Sequence, residues 1–98
     1  MTATSLSLPT LEQLREHVLQ VLCAHDRLDP KSTPLHEAVI TRSGKPCGLF
    51  FKVEGPRQLK IHAVWTSAEK RILFYDAAGV RFAKSRLRRS PSHVRSAA

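Results

Sequence analysis

The chain reads as an α+β domain, an N-terminal helix packed on an antiparallel meander of about five strands. Three observations predict it. Apolar residues recur at helical spacing between Leu11 and Leu22, the period changes to two after Pro34, and the later segments are joined by connections of three to five residues. Connections that short cannot carry a parallel crossover, so each strand is expected to pair with its sequence neighbour. The helix must then cover one sheet face, because its apolar stripe has no other surface to bury.

Each element has a local reason. Residues 1–9 are short and polar and are expected to fray. Thr10 is an N-cap, and Gln13 three residues later completes a capping box in which each side chain satisfies the other residue's amide. Leu11, Leu14, Val18, Val21 and Leu22 share one helical face, while Glu12, Arg15, Glu16 and Gln20 lie mostly elsewhere. Asp29-Pro30 and Thr33-Pro34 stop the helix near Ala24–Arg27, since each proline disfavours helical backbone at the residue before it.

Five strand segments follow. The first, Leu35–Arg42, carries the β-branched run Val39-Ile40-Thr41, and Ser43-Gly44-Lys45-Pro46 turns the chain. Cys47–Glu54 alternates, with Cys47, Leu49, Phe51 and Val53 on one face, up to a turn at Gly55-Pro56-Arg57. Gln58–Trp65 places Leu59, Ile61, Ala63 and Trp65 on that face and Gln58, Lys60 and His62 on the other. Arg71–Asp76 follows, then Asp76-Ala77-Ala78-Gly79 as a type I turn with Gly79 left-handed. The last strand is Val80–Leu87 with Val80 and Phe82 inward, and Ser90-Pro91-Ser92 ends it. The expected organisation is a flexible segment 1–9, one domain over 10–87 and a disordered basic tail over 88–98.

Composition narrows the functional classes. At 98 residues with 42% hydrophobic content, the chain has room for one core, and no apolar run approaches the ~20 residues that span a bilayer. The first nine residues hold no Lys or Arg and no apolar core, so a secretory signal is not expected and a cytoplasmic location is. Cys23 and Cys47 are accordingly expected as free, packed thiols.

The net charge of +8 is concentrated at one end. Residues 1–76 carry 10 Lys/Arg against 8 Asp/Glu, whereas Arg81, Lys84, Arg86, Arg88, Arg89 and Arg95 follow with no acid among them. Unopposed cations of this kind attract phosphates or another acidic partner. The second sheet face supplies a surface to go with them: it receives Phe50, Val64, Leu73 and Tyr75 among Lys52, Lys60, His62 and Arg71, and Phe50 and Tyr75 are rings on which bases stack. The candidate nucleic-acid-binding residues are therefore Arg81, Lys84, Arg86, Lys52, Lys60, Phe50, Tyr75, Arg88 and Arg89. Two other readings compete. Lys84 and Arg86 can serve to blunt an edge strand, and the apolar residues of the second face can form a homodimer or protein interface.

Other chemistry lacks a pattern. His17, Cys23, His25, His36, Cys47 and His62 are available as metal ligands, yet no CxxC or HxxxH spacing occurs, and Cys23 and His25 lie on different sides of a helix. No P-loop, nucleophile elbow or paired carboxylates are present, so neither a catalytic residue nor a cofactor is expected and the chain reads as a non-enzymatic binding module. No RNP1-like run or GXXG loop marks a known nucleic-acid motif either.

Cys47-Gly48-Leu49-Phe50-Phe51, Glu54-Gly55-Pro56-Arg57 and the run from Ile72 to Phe82 resemble small bacterial proteins whose function is not established. The resemblance covers residues 47–87, implies a bacterial cytoplasmic origin and supplies no activity or site residue.

Overall fold

The structure, a computed structural model, describes residues 5–55 and 60–91. Its elements in chain order are β1 (Ser5–Ser7), α1 (Leu11–His25), β2 (His36–Arg42), β3 (Lys45–Glu54), β4 (Lys60–Thr66), β5 (Arg71–Tyr75) and β6 (Arg81–Arg89). They build one helix and one sheet of six strands in the order β1-β6-β5-β4-β3-β2. From β2 to β6 every pairing is antiparallel between sequence neighbours, as the short connections require.

The expected turn at residues 43–46 narrows to Ser43 and Gly44, because Lys45 and Pro46 already belong to β3. Two larger departures from expectation both lie at the outer side of β6. Ser5–Ser7, expected to fray, forms β1 and pairs parallel with β6, so the sheet is mixed and has six strands. Leu8 continues the pairing, its amide donating to the Arg89 carbonyl at 2.9 Å. β6 consequently runs on to Arg89, and Arg88 and Arg89 belong to the folded strand where a disordered tail was expected. The backbone groups of β1 give the last residues of β6 partners that a tail would lack. The expected turn residues Pro56 and Arg57, the expected strand residues Gln58 and Leu59, and the end of the tail with Arg95 lie outside the described residues.

The helix forms for the local reasons its sequence gives. The Thr10 amide donates to Gln13 Oε1 at 3.2 Å and the Gln13 amide donates to Thr10 Oγ1 at 3.1 Å. A cap of this kind stabilises a helix by about 1 kcal/mol. At the other end Arg27 is left-handed, with φ +56°, and the Leu28 amide donates to the Cys23 carbonyl at 2.7 Å. This Schellman-type ending turns Leu28 back onto the core. The turns are equally local. Ser43 and Gly44 both have positive φ, the requirement of the two-residue hairpin turn that joins β2 to β3. Gly79, with φ +83°, closes the β5–β6 hairpin, where the Asp76 carboxylate accepts from the amides of Ala78 and Val80, both at 2.9 Å.

One sheet face carries the core. Leu49, Phe51, Val53, Ile61, Ala63, Trp65, Ile72, Phe74 and Leu87 meet Leu11, Leu14, Val18 and Leu22 of α1. At the margin a forked ion pair joins α1 to β2, with Arg15 Nε 2.7 Å from Glu37 Oε1 and Arg15 Nη2 3.0 Å from Glu37 Oε2. Gly48 is a place of close approach, since a Cβ there would strike the Trp65 carbonyl and the Thr66 backbone of β4.

Both cysteines are free, Cys23 buried and Cys47 half-buried. Burial also pushes the Cys23 thiol up, further from the reactive thiolate. A thiol reagent is therefore expected to modify Cys47 rapidly in the native protein and Cys23 only after unfolding. Two equal fast rates, followed by mass spectrometry, would contradict this packing.

Candidate nucleic-acid interface

The strands that bury one face in the core present the alternate residues on the other. Phe50, Val64, Leu73 and Tyr75 are half-buried, whereas their immediate neighbours Leu49, Ala63, Ile72 and Phe74 are fully buried. The period of two thus produces one closed and one open face, with α1 confined to the closed side.

Strand register arranges the open face into rows. One row runs Ala38, Phe50, Val64, Leu73, Lys84; the next runs His36, Lys52, His62, Tyr75, Arg81. A third runs Ile40, Gly48, Thr66, Arg71, Arg86. The sheet therefore brings Phe50, Tyr75, Lys52, Arg81, Lys84 and Arg86 onto one surface, and Lys60, two residues before His62, shares its side. Arg88 and Arg89 lie at the junction with β1, where the pairing skips from Leu87 to Arg89 and leaves Arg88 as the extra residue.

A bulge sets the position of the cations on β6. Phe74 pairs with Ala83 but Tyr75 pairs with Arg81, so Phe82 is an extra residue in its strand. Strict alternation from an inward Phe82 would drive Lys84 and Arg86 into the core. The bulge resets the phase, so that Ala83, Ser85 and Leu87 face α1 while Lys84 and Arg86 face outward. Phe82 stays on the core side, its ring stacked on His25 at 3.7 Å and tilted against Phe74 at 6.1 Å. Val80, expected inward, precedes the bulge in the turn and is 60% exposed.

At the centre of the open face three rings form a ladder across β3, β4 and β5. The His62 ring stacks on Phe50 at 5.2 Å and 28°, and on Tyr75 at 5.0 Å and 14°. At such spacings near-parallel rings overlap in offset fashion, which leaves part of each π-face uncovered. His62 was missing from the sequence-derived site, although alternation already assigned it to this face. Its neighbours depress its pKa, because partial burial penalises the imidazolium. The central rung is thus kept neutral near pH 7. Arg71 was also missing, and its register opposite Arg86 places it at the same surface.

The helix side has the opposite character. Glu12, Gln13, Glu16 and Gln20 are exposed on α1, and Arg15 is engaged by Glu37. The remaining histidine on the buried side, His17, faces Ser85 Oγ at 2.9 Å and the edge of Phe74. Among the described residues no three His, Cys, Asp or Glu side chains converge as metal ligands, and no helix is long and apolar enough to cross a membrane.

Fold and surface together define a small α+β domain with one acidic helical side and one cationic, ring-bearing sheet side. No family model matches the chain, and neither a curated protein nor a solved structure is similar to it.

Proposed function

We propose that the open sheet face binds single-stranded nucleic acid, without catalysis. The observation that carries this reading is the Phe50–His62–Tyr75 ladder standing among the cations of β3 to β6. Rings offer stacking to any base, and a cationic surround tracks the phosphates, the combination used by sequence-tolerant single-strand binders. Duplex DNA fits the surface poorly. Its major groove admits a helix or a two-stranded ribbon, whereas the helix here is packed on the sheet and shows carboxylates outward, and the strands are joined in a six-stranded sheet.

The same half-buried apolar residues, Phe50, Val64 and Leu73, also suit a homodimer interface. A two-fold dimer would set the patch against its own copy. A face carrying Lys52, Lys84 and Arg86 would then be set against a copy carrying the same cations, which disfavours this arrangement.

Fluorescence anisotropy with labelled oligothymidylate and oligouridylate, each also tested as a duplex, is the direct test. About five phosphate contacts on a single strand imply that log K falls with log salt at a slope of about −3 to −4. Single strands are expected to bind more tightly than duplexes at every salt concentration. Absence of binding, or binding indifferent to salt together with concentration-dependent sedimentation, would favour the dimer.

A further inference from the structure

At one end of the open face, a cleft of about 360 Å³ opens between the β4–β5 turn and β6. It is lined by Glu69, Lys70, Arg71, Lys84, Arg86 and Leu87, four cations against one acid. Glu69 lies 3.1 Å from Arg71 Nε, on the turn side of the guanidinium. Across the strands Arg71 stands directly opposite Arg86, and Lys84 lies on the same face one pair further along β6. Like charges directly opposite on one sheet face repel. The turn that closes the cleft is pinned in place, because the Leu87 amide donates to the Lys70 carbonyl at 2.9 Å and Lys70 adopts a left-handed conformation. The cations are thus held together by backbone geometry against their mutual repulsion.

We infer that this cleft is a phosphate-binding subsite in which the anion bridges Arg71 and Arg86, with Lys70 and Lys84 completing the charge. Guanidinium forks match phosphate oxygens, and a tetrahedral anion between two facing arginines turns a repulsion into two charge-assisted contacts. The inference deepens the single-strand reading, from which it takes only the polymer that carries the phosphate.

The test is an NMR titration of the full chain with inorganic phosphate, at ionic strength held constant with sodium chloride. Saturable shifts confined to residues 69–71 and 84–87 are expected. Arg71→Gln and Arg86→Gln should each weaken binding by about tenfold or more, the scale of one lost charge-assisted hydrogen bond, and Lys31→Gln, on the exposed loop between α1 and β2, should leave it unchanged. Shifts spread over all exposed cations without saturation, or shifts that survive both substitutions, overturn the inference. Melting gives a second readout independent of the spectra. In phosphate-free buffer Arg86→Gln should melt above the parent, because a repulsion is removed, and in saturating phosphate it should melt below it. The same order in both buffers counts against the site. Oligothymidylates with a 5′-phosphate or a 5′-hydroxyl identify the source. Preference for the former marks a terminal monoester, whereas equal affinities both reduced in Arg86→Gln mark an internal diester. Inorganic phosphate carries no base, so this test and the ladder reading fail independently.

Discussion

Tyr75→Ala is expected to lower affinity for a short oligothymidylate by between about 5-fold and 150-fold, the range of one lost base–ring stack. Tyr75 is the outer rung of the ladder, at 5.0 Å from His62, and its register partner on β6 is the cation Arg81. Phe50→Ala should act in the same direction from the other end. The two effects should not add, because both rings lean on His62 and removal of either loosens it. Tyr75→Phe keeps the ring and should retain most of the affinity. Anisotropy titrations of the single and double variants, with thermal melts to show that each is folded, measure all of this. Unchanged affinity in Tyr75→Ala, with a steep salt dependence intact, would reduce the surface to general attraction for polyanions.

The second large effect concerns stability. Phe74→Ala should cost about 3–5 kcal/mol, the usual range for deleting a buried ring, out of a total near 5–15 kcal/mol for a domain of this kind. Phe74 is fully buried, in a T-shaped pair with the His17 ring and tilted against the ring of Phe82. Its neighbour Leu73 lies one residue away on the open side and is only half-buried. Leu73→Ala should therefore cost less than half as much. Urea denaturation of the pair tests the two-faced sheet directly: similar midpoints would mean that something covers the open face. The contrast also separates the two functions of β5, since Phe74 holds the fold while Leu73 and Tyr75 belong to the exposed surface.

Features with short-range causes were legible in the sequence. Thr10 and Gln13 announce the cap because both partners lie within one turn, and Asp76 and Gly79 announce the hairpin in the same way. Alternation within β3, β4 and β5 gave the faces, and hence the placement of Phe50, Lys52, Lys60 and Tyr75 together. The missed features have distant or two-strand causes. Ser5-Leu6-Ser7 is too short to show a period, and its partners lie at the other end of the chain. Without that partner strand, nothing local distinguishes Arg88 and Arg89 from a tail. The bulge at Phe82 shows in the sequence only as a conflict, because strict alternation from an inward Phe82 would turn Lys84 and Arg86 inward, away from the surface expected of them. His62 was on the right face but weighed as a metal ligand, because sequence spacing does not show that it falls between two rings on neighbouring strands.

The parallel pairing of β1 with β6 also has a consequence in time. During synthesis β1 emerges before the other described strands, and its hydrogen-bonding partner β6 emerges after them. The central hairpins can assemble while the ribosome is still working, since their pairings are between sequence neighbours. The cationic strand and the segment that flanks it must wait for one another, a closure of high contact order that comes late in folding. A nascent chain halted before Arg81 would carry the Phe50–His62–Tyr75 rings without the strand that supplies Lys84 and Arg86. On the single-strand reading, the cationic surface would thus be completed only when β6 docks, and loss of either β1 or β6 would remove the same edge.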